Sequence, residues 1–178
     1  MEQQTSITTT RAGIRYGLIF GLISIVDMLV VNIFNLEKTL GFLAWIIGIA
    51  MIVMALLYYR SNNNGLMTYG QGLSTGMAAT GVSSVLGSIF FLIYIRFIDT
   101  GYIKKQIEMT RIEMEKNPNL SDEQVNAALE MSSKFMTPEI MFIFGLIGSL
   151  LIGLIISLIV AAILKKEDKT FFGDSGKF

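Results

Sequence analysis

The chain contains no cysteine and no histidine among its 178 residues. That removes disulfides, thiol nucleophiles, thiolate or imidazole metal sites, and every acid–base arrangement that relies on histidine. Charge is also scarce, at 16% of residues, and its 14 basic and 14 acidic side chains cancel. A formally neutral chain without a basic block of interleaved aromatics gives no reason to expect a nucleic-acid partner or an acidic surface. No cofactor is expected. What is abundant is apolar: 52% of the residues, too many for a typical soluble domain and suited to a single small membrane domain over residues 1–178.

The distribution of that content is decisive. The run 138–164 carries one ionisable group, Glu139, at its entrance, and Lys165, Lys166 and Lys169 follow its exit. A helix of that length reaches roughly 40 Å, more than the ~30 Å hydrocarbon core of a bilayer. Three further apolar runs, about 12–36, 40–59 and 71–95, have the same character. The first is longer than a signal-peptide core and lacks a small-residue cleavage site, so it is expected to be retained as a span behind a polar leader, residues 1–10. Glu37, Lys38 and Thr39 form a link short enough to make spans one and two antiparallel neighbours. Phe42 and Trp45 at one end of span two and Tyr58 and Tyr59 at the other match interfacial aromatic belts. The expected fold is an all-α integral membrane protein: four transmembrane helices in an antiparallel bundle, with an extramembrane helical hairpin, about 96–137, between spans three and four.

Small residues recur at intervals of four. Gly13, Gly17 and Gly21 form a GxxxGxxxG series in span one, Gly72, Gly76, Thr80, Ser84 and Ser88 follow in span three, and Gly145, Ser149, Gly153, Ser157 and Ala161 in span four. Such stripes let helix backbones approach closely, and those of spans three and four predict that these two pair. In the hairpin, Pro118 breaks the helix, Ser121 and Gln124 make a capping box, and Leu120 can staple onto Val125. Thr137 is placed to cap span four, with Pro138 at its first helical position. The apolar faces of the hairpin meet each other or the membrane surface; Met109, Met114, Met131 and Met136 offer the alternative of a docking surface.

One residue stands out chemically. Asp27 lies within span one, where a charged carboxylate costs roughly 2.5–3.5 kcal/mol on insertion scales, so it is either protonated or turned toward protein or water. Alignment of the spans by their far ends puts it level with Gly48, Ser88, Gly148 and Ser149, predicting a polar interior pocket or a hydrogen bond to Ser88 or Ser149 that ties helices together. A proton or cation relay is the competing reading, and a lipid- or partner-facing role a third. Basic residues divide equally between the two sides, but Arg11, Arg15, Arg60, Lys165 and Lys166 hug their spans, which favours termini in the cytoplasm.

The opening of span three, Met67, Thr68, Tyr69, Gly70, Gln71, Gly72 and Leu73, resembles a family of uncharacterised bacterial membrane proteins, domain of unknown function 4199. The exit from Tyr94 to Tyr102 with its acidic residue, the charged helical insert and the Gly/Ser-rich last span ending in Lys165 and Lys166 are similar as well. The resemblance implies a four-helix protein of a bacterial envelope, in the inner membrane, and brings no catalytic residues. An intramembrane hydrolase is disfavoured, since a serine protease wants a histidine and an aspartyl one a second embedded Asp. The expected role is a non-enzymatic structural or accessory subunit of an envelope assembly. Its partners are the lipid bilayer and either a second copy of the chain or another membrane protein. The alternative is a small transporter or channel subunit using Asp27 as an intramembrane ion or proton site.

Overall fold

The computed structural model describes residues 7–34, 36 and 42–167. Among these residues the fold is all-α, with helices α1 (Thr9–Ile33), α2 (Leu43–Ser61), α3 (Tyr69–Ile93), α4 (Tyr102–Glu115), α5 (Asp122–Phe135) and α6 (Pro138–Leu164). A π-helical turn, Tyr94–Ile98, continues α3. Helices α1, α2, α3 with its π turn, and α6 are long and apolar enough to cross a membrane. The leader residues Met1–Ser6, the link at Glu37–Thr39 and the tail beyond Glu167 lie outside the described residues.

The helix limits follow from local chemistry. Helix α1 starts at Thr9, earlier than hydropathy places it, because the Thr8 hydroxyl accepts a hydrogen bond from the Arg11 N–H (3.2 Å) and so satisfies one of the free donors of the first turn. Helix α3 likewise opens on a reciprocal cap. The Thr68 N–H donates to Gln71 Oε1 (2.9 Å) and the Gln71 N–H to Thr68 Oγ1 (3.3 Å). Between α2 and α3 the chain turns through Asn64 and Gly65, both at positive φ, where a short polar side chain and a hydrogen are the least costly occupants. At the start of α6 the Thr137 hydroxyl accepts from the Ile140 N–H (3.4 Å), and Pro138 stands where no intrahelical donor is needed.

The chain divides into two compact units, Met1–Gly87 with Gly148–Phe178 and Ser88–Ile147, so that α3 and α6 contribute to both. The first unit holds the main core: Ala12, Ile52, Ala55, Leu56, Tyr59, Met67, Ala79, Val160 and Ala161. These positions cluster where α1 and α3 begin and where α2 and α6 finish. Met67 and Lys166 exchange two backbone hydrogen bonds there (2.9 and 2.8 Å), and Arg60 Nη1 donates to the Leu164 carbonyl at the end of α6 (3.1 Å).

Close helix contact in this unit runs along two seams. On the first, a Cβ added to Gly13 would strike the Ala78 side chain, one on Gly17 would lie 2.6 Å from the Ala79 carbonyl oxygen, and one on Gly21 would lie 2.9 Å from Leu86 Cδ1. Numbers rise together on both helices, so α1 and α3 run parallel. On the second, Gly72 faces Ala161, Gly76 faces Ser157, Gly153 faces Thr80, and Ser149 faces Ser84. Each step of four up α3 is a step of four down α6, so this pair is antiparallel. The interval of four keeps one face of each helix against the other, and the absence of bulk lets the backbones meet. Helix α1 also packs on α2, with Tyr16 and Tyr58 rings 5.2 Å apart and Gly48 close to Phe20.

The outward faces of the long helices are apolar: Leu22, Val26 and Ile33 on α1, Trp45 and Ile46 on α2, Ile155, Ile159 and Ile163 on α6 are all more than half exposed. Belts of this kind are unfavourable in water and cost nothing in lipid.

The second unit is built differently. Its buried apolar side chains are Tyr94, Ile95, Val125 and Leu129. Helix α4 packs on α5, and α5 carries the Ser121–Gln124 capping box. The Tyr102 ring meets Phe91 edge-on at 5.6 Å and Tyr94 at 6.3 Å, holding the start of α4 beside the π turn. Ion pairs lace the surface: Arg96 with Glu139, Arg111 with Glu108 and Glu115, and Lys134 with Glu130. The apolar groups Ile112, Met131 and Phe135 remain exposed.

Candidate functional site

Asp27 sits six residues before the end of α1, about 9 Å along the helix axis. It therefore stands midway between the centre of its helix and the end. Ser24, Asp27, Met28 and Val31 follow the spacing of a single helix face, and together with Asn32 they line one wall of a cleft of about 280 Å³. Ala44 and Ile47 of α2 form the opposite wall. The Asn32 side-chain amide donates to the Met28 carbonyl (2.8 Å), which fixes its orientation and leaves its oxygen as an acceptor.

Asp27 is half-buried, and it makes no hydrogen bond or ion pair with another described residue. The cleft thus presents a carboxyl, a hydroxyl and an amide oxygen between apolar walls. That set can hold a proton, a cation or ordered water. No group of three or more histidine, cysteine, aspartate or glutamate side chains that could hold a metal ion occurs among the described residues.

The residues expected to share a layer with Asp27 are placed elsewhere. Ser149 Oγ donates to Ser84 Oγ at 2.8 Å. That pair belongs to the α3–α6 seam and lies level with Gly21, whose added Cβ would approach Ser83 and Leu86. Six residues, about 9 Å, separate Gly21 from Asp27 along α1. The tie from Asp27 to Ser149 or Ser88 is accordingly not made. Ser88 is half-buried in the second unit, one turn beyond Ser84. The far-end alignment fails for Ser149 because it misses the α3–α6 register, which sets Ser149 opposite Ser84 and not Ser88.

Of the small residues expected to pack, Gly13, Gly17, Gly21, Gly72, Gly76, Gly153 and Ser149 stand at helix contacts, whereas Gly145 faces open space in the second unit. The sequence reading missed Ser24 and Asn32 as polar neighbours of Asp27; their positions three before and five after it were the available signal. It also missed the Thr68–Gln71 cap. The Met67–Leu73 stretch has a structural account: Met67 plugs the core at 1% exposure, Thr68 and Gln71 cap α3, and Gly72 admits Ala161.

Four apolar helices of spanning length, seamed by small residues, are the mark of a multi-helix membrane protein. The family comparison agrees with that class: residues 15–166 match the model described as Protein of unknown function (DUF4199), and the chain belongs to that family. No curated protein and no solved structure matches the chain.

Proposed function

We propose that this protein is a non-enzymatic, multi-pass subunit of a bacterial envelope assembly, structural or accessory in role. In this reading the four long helices form an antiparallel bundle in the inner membrane, α4 and α5 form a helical hairpin outside it, and both termini are cytoplasmic. The observation that carries the role is the surface of the hairpin. Ile112, Met131 and Phe135 stay exposed on amphipathic helices, on which Arg111 pairs with Glu108 and Glu115 and Lys134 with Glu130, a combination suited to contact with another protein. Purification of the full chain from membranes in mild detergent tests it. A stoichiometric partner or a defined homo-oligomer is expected, and a strictly monomeric product without a partner would contradict it.

A second reading rests on the carboxyl in the α1–α2 cleft, which has no partner among the described residues. Under it the protein is a small transporter or channel subunit, with Asp27 holding the ion or proton. Cation- or proton-coupled flux in proteoliposomes, abolished by Asp27→Asn in a chain that still folds, is its expected signature. Equal flux in the variant would rule Asp27 out as the carrier.

A further inference from the structure

We infer that the end of the first unit where α1 and α3 begin and α2 and α6 finish is a binding site for the phosphate headgroups of anionic phospholipids. The inference rests on the reading of the four long helices as bilayer spans. Five cationic side chains gather at these helix ends: Arg11, Arg15, Arg60, Lys165 and Lys166. None of them is in an ion pair with a described residue, and Glu167 is the one described acid in those segments. Every ion pair among the described residues belongs to the second unit.

The two arginines that are held in place are held by neutral groups. Arg15 Nη1 donates to the Tyr58 hydroxyl (2.6 Å), and its guanidinium carbon lies 4.8 Å from the centre of the same ring. Arg60 Nη1 donates to the Leu164 carbonyl, so its charge is only partly offset by the C-terminal end of the α6 dipole. Lys165 and Lys166 follow that carbonyl directly, and the backbone of Lys166 is pinned to Met67. An arginine anchored through one nitrogen to a neutral oxygen keeps its full charge and the rest of its planar fork, the geometry that suits a phosphate. Collecting five such groups with Glu167 as the one acid among the described residues of these segments leaves an excess of positive charge that attracts an outside counter-charge.

Depth identifies the occupant. Arg15 is six residues, about 9 Å, inside α1, beside the Tyr16 and Tyr58 rings. Aromatic residues with one polar end are enriched at headgroup level, and a guanidinium below the helix end is reached by lipid phosphates more readily than by a soluble partner.

The test uses the full chain in a zwitterionic detergent. Its thermal midpoint is followed while phosphatidylglycerol, phosphatidylcholine or inorganic phosphate is added. Phosphatidylglycerol should raise the midpoint saturably and the other two should not. Arg11→Gln with Arg15→Gln, and separately Lys165→Gln with Lys166→Gln, should each weaken the effect by about fivefold per charge removed, while Lys134→Gln in the second unit leaves it intact. The unliganded midpoint of each variant shows whether it folds, and two independent pairs guard against one that does not. Equal shifts with phosphatidylcholine, or full retention of the effect in both pairs, would overturn the inference. Inorganic phosphate acting alone would make this a free-anion site, and an acidic protein retained through Arg11 and Arg15 with no lipid effect would reassign the surface; either contradicts it. Release of the chain from membranes by alkaline carbonate would sink the spanning reading itself, whereas retention without a lipid preference would sink only the binding site.

Discussion

The two units of this chain solve the same problem of holding helices together by opposite means. In the first, side chains are stripped back until backbones touch: Gly153 leaves no room beside Thr80, and Gly13 none beside Ala78. In the second, the buried side chains are longer, as Val125 and Leu129, the ion pairs of α4 and α5 run along single helices, as Arg111 with Glu108 and Glu115, and a Cβ added to Gly145 would meet nothing within 4 Å. The contrast fits the proposed placing of α4 and α5 outside the bilayer that the four long helices cross. Lipid gives no hydrophobic drive for helices to associate, so close packing and hydrogen bonds must do it. Water rewards an amphipathic pair such as α4 and α5 for covering its apolar faces, and charges on the outer faces cost little there.

The largest effect that would break this contrast comes from adding bulk to a seam. Gly153→Leu drives a side chain into Thr80, and overpacking of that kind costs about 1–3 kcal/mol or more. Gly145→Ala, on the same helix but in the second unit, meets nothing within 4 Å and should leave stability unchanged or raise it by a few tenths of a kcal/mol, roughly the gain from restricting the unfolded chain. Thermal unfolding of the two purified variants side by side measures the difference; equal losses would erase the distinction between the units.

A smaller effect sharpens it. The Ser84–Ser149 hydrogen bond crosses the α3–α6 seam, and a double-mutant cycle through Ser84→Ala and Ser149→Ala should give a coupling of about 0.6 kcal/mol, the usual size for such bonds in membrane helices. A coupling indistinguishable from zero would mean that the two hydroxyls do not meet. The smallest effects belong to the exposed ion pairs. Glu139→Gln removes the partner of Arg96, both about half exposed, so the loss should be slight and should vanish as salt is raised. A loss that persists in high salt would show that the pair is shielded.

Much of this architecture is readable from residues alone, and the reason differs from part to part. The limits of α6 are written chemically, in Thr137, Pro138 and the lysines after Leu164, and the described helix occupies 138–164. Span length is equally plain, because a run without charge has few alternatives to lipid. What a stripe of small residues faces is not readable, since spacing fixes a face of a helix but not its neighbour: the glycines of α1 lie against α3, and Gly145 lies against nothing. The surroundings of Asp27 were hidden for a related reason. Its level relative to α6 depends on the α3–α6 register, which arises from contacts between segments distant in sequence and leaves no local trace.

The α3–α6 seam can be read directly in membranes because the chain has no cysteine of its own. Ser84→Cys combined with Ser149→Cys places two thiols where hydroxyl oxygens now stand 2.8 Å apart, and mild oxidation of isolated membranes should cross-link them efficiently. Val85→Cys with Leu151→Cys, at two exposed positions, should not react. Cross-linking of the exposed pair in preference to the seam pair would contradict the packing described for the first unit.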